Sequence, residues 1–247
     1  MPITMKRWII LPLLASLVLT TSAQKQPYED LLVRYVDEKY EDCLARAENY
    51  TLKESTKKDA LPYLYMSMCL YELSKIEKYR NMPEYKKADK DALKWAEKYR
   101  KKDKNKEFFD NYSDYWSSLN TMAQDWGLND YDNPKGLSKA KQTFDAMTGY
   151  YPENPGPWLM LALCQYKTNL AKEGEASVAK FRSALDAAGE ISGLPSDQKA
   201  ILRTALIRYA EYLHSKGDSS GAKAAIAIGA DDFKDDPEFK VALQEYN

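Results

Sequence analysis

The chain has 247 residues, 30% of them charged, with 36 Lys and Arg against 37 Asp and Glu. So close a balance gives no electrostatic case for nucleic acid or for an anionic membrane surface. Ten glycines, eleven prolines and long Lys- and Glu-bearing stretches between apolar residues favour helices over a sandwich or barrel, and no Val/Ile/Thr-rich alternating stretch argues for a strand.

The first residues read as an export signal. Lys6 and Arg7 form a positive n-region, Trp8 to Leu19 an apolar core, and Thr20-Thr21-Ser22-Ala23 a small-residue cleavage region. The apolar stretch is shorter than the roughly 20 residues a bilayer-spanning helix needs. Cleavage after Ala23 would make Gln24 the first residue of the mature protein, and Ser22-Ala23-Gln24 resembles the signal-peptide ends common in the Bacteroidota. No cysteine follows the junction, so a lipid anchor is not expected. A soluble periplasmic protein is, with secretion as the other destination and residues 24–247 as the mature domain.

Apolar residues then recur at the 3-4 spacing of helices. A short helix is predicted over Tyr28 to Val36, and a second through Tyr40, Cys43, Ala47 and Tyr50. Tyr63, Met66, Ser67 and Leu70 mark a third, paired through a long connection carrying Met82-Pro83 with Ala92, Ala96 and Tyr99. Phe108, Tyr112, Tyr115, Trp116, Leu119, Met122 and Trp126 follow one helical stripe, read first as core packing of a long connecting helix. A looser junction is expected near 127–136. Ala140, Phe144 and Met147 form a helix that Pro152 ends, and Pro157 suits the first turn of the next one, carrying Trp158, Leu161 and Ala162. A turn around Lys172-Glu173-Gly174 should lead to the helix of Phe181 and Ala184. Ser196 is placed to cap a helix through Leu206, Tyr209, Ala210 and Leu213. Gly217 makes a turn, and Ala222 and Ile226 share the face of the helix that follows. A last helix from Pro237 to Tyr246 would cover the open end with Phe239, Val241 and Leu243.

Large and small residues side by side on a first helix, then a turn, then a second helix with spaced small and large residues: this pattern resembles the tetratricopeptide repeat (TPR). The resemblance covers most of residues 27–235 and implies an all-α, α-solenoid-like stack of about five degenerate helix pairs with a short C-terminal capping helix. It also implies a scaffold or adaptor that binds another protein or peptide, with envelope assembly or secretion as the setting it would serve. Carried over unit by unit, the inner groove would be lined by Leu64, Met68, Tyr71 and Glu72; by Leu159, Leu163, Tyr166 and Lys167; and by Ile207, Glu211 and His214. Gln165 departs from the pattern, standing where an apolar residue is expected.

Chemistry is sparse. His214 is the only histidine, no nucleophile elbow, phosphate loop or C-x-x-C occurs, and the Asp130-Tyr131-Asp132 run lacks both the glycine and the closing glutamate of a calcium loop. Neither a metal, a cofactor nor an enzymatic role is expected. Cys43, Cys69 and Cys164 each sit in an apolar helical pattern and read as buried thiols, with one disulfide open to them in an oxidising compartment.

Charge is unevenly spread. Residues 53–106 carry sixteen Lys/Arg against nine Asp/Glu, ending in Arg100, Lys101, Lys102, Lys104 and Lys106, whereas 107–134 carry six acids and no Lys or Arg. Either the two faces neutralise each other, or the basic run steers an acidic partner. Aromatic residues do not interleave with it, so nucleic acid is not an expected partner. The other functional reading is a glycan- or small-ligand-binding protein using the aromatic helix 108–126, around Tyr115 and Trp116.

Overall fold

The computed structural model describes residues 28–246, and among them it contains twelve α-helices, three short 3-10 turns and no strand. The export segment read over 1–23, and Gln24, lie outside the described residues. The helices are α1 (Glu29–Val36), α2 (Tyr40–Leu52), α3 (Leu61–Lys75), α4 (Glu77–Arg80), α5 (Ala88–Lys102) and α6 (Ser113–Asp132). There follow α7 (Leu137–Tyr150), α8 (Pro155–Lys167), α9 (Ala171–Ala188), α10 (Ser196–Ser215), α11 (Ser219–Ala227) and α12 (Pro237–Tyr246). No described helix is long and apolar enough to cross a membrane.

Neighbours in sequence pack as neighbours in space. The pairs α1–α2, α3–α5, α6–α7, α8–α9 and α10–α11 each pack together, and α12 rests on α10 and α11. Small residues sit where helices approach: Ala96, Ala162 and Ala210 are fully enclosed, as the pattern requires. Two helices are central. Every residue from Leu61 to Leu70 of α3 is buried, and in α8 every residue from Pro155 to Cys164 except the half-buried Trp158. A helix apolar on all sides must be surrounded on all sides: α8 touches α7, α9 and α10, and α3 touches α1, α2 and α5.

The succession is not a plain nearest-neighbour stack. α10 also meets α6, across the intervening α8–α9 pair. The contact is polar. Asp197, buried in the first turn of α10, accepts hydrogen bonds from Ser117 Oγ (2.9 Å) and Asn120 Nδ2 (2.8 Å), and its carbonyl accepts one from Gln124 Nε2 (2.9 Å). Tyr150 of α7 completes the network, its hydroxyl donating to Asn120 Oδ1 at 2.8 Å. Burying a carboxylate is tolerable only with such donors.

Around 127–136, α6 runs to Asp132 with Gly127 and Tyr131 buried, residues 132–135 are exposed and Gly136 is buried. Several other local expectations are corrected. The long connection at Met82-Pro83 is occupied by α4 and a 3-10 turn over Pro83–Tyr85. Lys172, Glu173 and Gly174 lie within α9, and the turn before it uses Asn169 in a left-handed conformation (φ 62°). Gly174 is needed for proximity, because a Cβ there would stand 2.5 Å from the Tyr166 ring. Ser196 is the first residue of α10 and caps nothing, whereas Asp218 caps α11 by accepting from the Gly221 amide at 2.8 Å. In α12, Phe239 is fully buried but Val241 is 61% exposed and covers nothing. Gln165 owes its place to Ser177, whose hydroxyl donates to its Oε1 at 2.7 Å.

Candidate functional site

Five of the eleven expected groove residues are inaccessible. Leu64, Leu159 and Leu163 are fully buried, and Met68 and Ile207 nearly so. The transfer assumed that a first helix keeps one face free, which the enclosed α3 and α8 do not. The other positions reach the surface but do not form one groove. Tyr166 stacks on Tyr212 (centroids 5.2 Å apart), and burial pushes its hydroxyl up to about 12. Lys167 lies 4.0 Å above the Tyr131 ring, Glu211 pairs with Arg208 at 3.4 Å, and His214 packs beside Tyr246. Glu72 sits between Lys75 and the Tyr35 hydroxyl.

Much of the basic run of α5 is also engaged. Arg100 and Lys106 both pair with Glu153, at 2.7 and 2.8 Å. Burial works against the charged form of Glu153, but the bond from Lys106, a backbone bond and the Arg100 charge together hold its carboxyl below the usual range. Lys101 pairs with Glu97, and Lys102 donates to the Lys57 carbonyl while lying over Tyr63. Of the five, only Lys104 is an exposed side chain without an ion pair or ring contact among the described residues.

The aromatic helix divides along its length. Trp116 is buried between Phe109 (4.6 Å, near-parallel) and Tyr99 (5.5 Å), and its Nε1 donates to the Phe109 carbonyl. Tyr115 is also buried, its hydroxyl 2.6 Å from that of Ser67. Neither can serve as a platform. Met122 and Trp126, further along the helix, are half-buried and open onto a cleft.

That cleft has three lobes with Trp126 in the wall of each. One, about 340 Å³, lies between α5 and α7 and is bordered by Asp89, Leu93, Lys94, Gln142 and Ala146. The middle one, about 600 Å³, is framed by Ser74, Lys75, Arg80, Tyr85 and Lys86 opposite Met122. The last, about 450 Å³, runs from Tyr71 along α6 past Ser118, Thr121 and Asp125. Asp89 joins the first two lobes, and Lys75 and Met122 join the second to the third.

The borders are unequally charged. Arg80, Lys86, Lys90, Lys94 and Lys139 are all exposed and hold no ion pair among the described residues. The carboxylates here are fewer: Asp89, Asp125, Asp130 and Glu97, the last already bound to Lys101. The middle lobe has three cations, of which Lys75 is already paired with Glu72, against one acid. The exposed, unpaired part of the lysine excess of residues 53–106 along this cleft thus lies on α4 and the start of α5, not on its C-terminal run. Only Tyr71 of the expected groove residues lines this cleft.

No group of three or more His, Cys, Asp and Glu side chains among the described residues is arranged to hold a metal ion. No protein-family model matches the chain, and no curated protein or solved structure is significantly similar to it.

Proposed function

We propose that this chain is an exported helical scaffold, built of TPR-like pairs, that captures an extended acidic segment of another polypeptide in the Trp126 cleft, in the service of an envelope or secretion assembly. The observation that carries the reading is the continuity of the three lobes along Trp126, the first two bordered by five cations that hold no ion pair among the described residues. An extended chain needs a linear trough with an apolar or aromatic anchor point, and complementary charge adds association rate and selectivity. The succession of helix pairs supports the repeat reading, and the Lys6-Arg7 n-region with its Ala23 junction supports export. Intact-mass analysis of protein from the cell envelope should find a chain beginning at Gln24.

The binding test uses two labelled peptides of equal length with interspersed tyrosines, one rich in glutamate and the other in lysine. Fluorescence anisotropy should show binding of the acidic peptide that weakens as salt rises. Trp126→Ala should weaken it about tenfold or more, as expected of an aromatic anchor, while the melting transition is retained. Equal binding of both peptides, or indifference to Trp126→Ala, would reject the site. A second reading has one observation in its favour: half-buried Trp126 and Met122 side by side could receive the face of a sugar ring. Saturable oligosaccharide binding that needs Trp126, with no peptide binding, would replace the first reading with this one.

A further inference from the structure

The N-terminal helices are held by a core of their own. Leu31, Cys43, Ala47, Tyr65, Met66 and Cys69 form a small cluster separate from the main one, where α1 and α2 rest against α3. Cys43 and Cys69 are both fully buried in it, on the facing helices α2 and α3. Cys43 Sγ also lies 3.4 Å from the Leu31 carbonyl, the acceptor for its proton. Cys164 is buried in the main cluster, on α8.

We propose that Cys43 and Cys69 join as a disulfide when the chain folds in an oxidising compartment, stapling α2 to α3 and leaving Cys164 as the single free thiol. The pairing rests on the α2–α3 contact and is independent of the cleft. Two cysteines enclosed in one small cluster across two packed helices are well placed for bridging, whose usual obstacle is a wide separation of the two backbones. The shared cluster also selects one pairing out of three, because Cys164 belongs to a different one.

The chemistry requires an oxidant, and a disulfide-bearing one suffices: oxidised glutathione or a dithiol oxidoreductase. One cysteine, as thiolate, attacks the oxidant's disulfide and expels a thiolate, forming a mixed disulfide. The other cysteine then attacks that mixed disulfide and expels the second thiolate. Two protons and two electrons leave the pair, and the oxidant is reduced to two thiols. Exchange needs a thiolate, and in the closed cluster the neighbouring Cys43 thiol, then burial, push the Cys69 thiol far above its ordinary range. The bond therefore forms while the α1–α2 pair is still open, during folding, and once enclosed it is shielded from reductants. A small cluster at a chain end is where local opening is easiest, so that is where a covalent tie has most effect.

The test is a thiol count on the full chain, reduced, unfolded and refolded in a mixture of oxidised and reduced glutathione, with recovery of helical circular dichroism as the check on folding. The product is unfolded in guanidinium with an alkylating reagent and weighed. The expected result is one adduct without reductant and three after reduction, with a reducible peptide linking Cys43 to Cys69. Limited proteolysis of the oxidised form should cut the α1–α2 segment at least about tenfold more slowly than the reduced form, since cleavage follows the population of the open state. Cys43→Ser should abolish that protection and leave Cys69 and Cys164 both alkylated. Three adducts from a fully helical refolded chain, or a linked peptide containing Cys164, would overturn the proposal.

Discussion

Replacing Gly156 by alanine should destabilise the protein by about 1–2 kcal/mol, although alanine is the better helix former. Gly156 is the second residue of α8 and lies against α10. A Cβ built on it would stand 2.6 Å from Ile201 Cγ2, 2.8 Å from the Leu202 amide nitrogen and 2.9 Å from the Ile201 carbonyl carbon. Two of these atoms are backbone, so relief means pushing α8 away from α10, and overpacking of this kind costs about 1–3 kcal/mol. Pro157 follows, and a residue with a side chain is disfavoured in the helical region before proline, which adds in the same direction. Against this stands about 0.4–1 kcal/mol from the stiffer unfolded chain.

Gly149→Ala is the control, the same chemical change in a different setting. Its Cβ would meet Glu97 Cγ at 2.8 Å and Cδ at 3.1 Å, atoms of a flexible, half-exposed side chain. Glu97 can swing away at the expense of its pair with Lys101, and an exposed pair contributes at most about 1 kcal/mol. The helix-propensity gain is similar, so the net change should lie within about 0.5 kcal/mol of zero. Urea and thermal unfolding followed by circular dichroism separate the two, because 1 kcal/mol moves the Tm of a domain this size by about 2–4 °C. If Gly156→Ala melts with or above the parent, or both variants shift alike, the close approach of α8 and α10 is not what requires the glycine.

Other outcomes follow from burial and charge. Ala162→Glu and Ala210→Glu, both at fully enclosed positions, should each lower stability by several kcal/mol in the same unfolding assay, through overpacking and an unpaired buried charge, whereas exposed Lys101→Glu should change it by about 0.5 kcal/mol or less. Glu153 has its folded-state carboxyl below the ordinary value of 4.5, so its contribution is fully present above that value and is lost as pH falls through the lower folded value. Glu153→Gln should therefore be less stable than the parent near pH 7 and indistinguishable from it in strong acid; a urea-midpoint difference that stays constant with pH would mean the Arg100 and Lys106 pairings contribute nothing.

Helix positions were readable because they depend on signals local to the chain. The Pro152 to Pro157 break, the positive-φ Gly217 (82°) and Asp236, which accepts from the Phe239 amide, all act within a few residues. Enclosure was harder to read. Leu64 and Leu159 follow the same periodicity whether their second face meets solvent or another helix, and only the assembled neighbours of α3 and α8 decide which. Gly174 illustrates the same limit, since a glycine spent on close approach looks like one spent on a turn. In the aromatic stripe, Trp116 and Trp126 are alike as residues, and only their ten-residue offset on a twenty-residue helix sends one inward and the other to the cleft. The basic surface was visible as an excess, but its useful part is set by which lysines lack carboxylate neighbours in space, and the Glu153 that neutralises Arg100 lies 53 residues away.

The Asp197 network bears on how freely such a chain could be cut and copied. In an array whose units touch only adjacent units, a helix pair can be excised or duplicated and the ends rejoined at little penalty. Here, removing α8–α9 would displace α10 relative to α6 and strand a buried carboxylate away from Ser117, Asn120 and Gln124. Duplicating the pair would do the same. The length of this molecule between α6 and α10 is thus fixed by a handful of hydrogen bonds, and any change in the number of its units would have to fall outside that span.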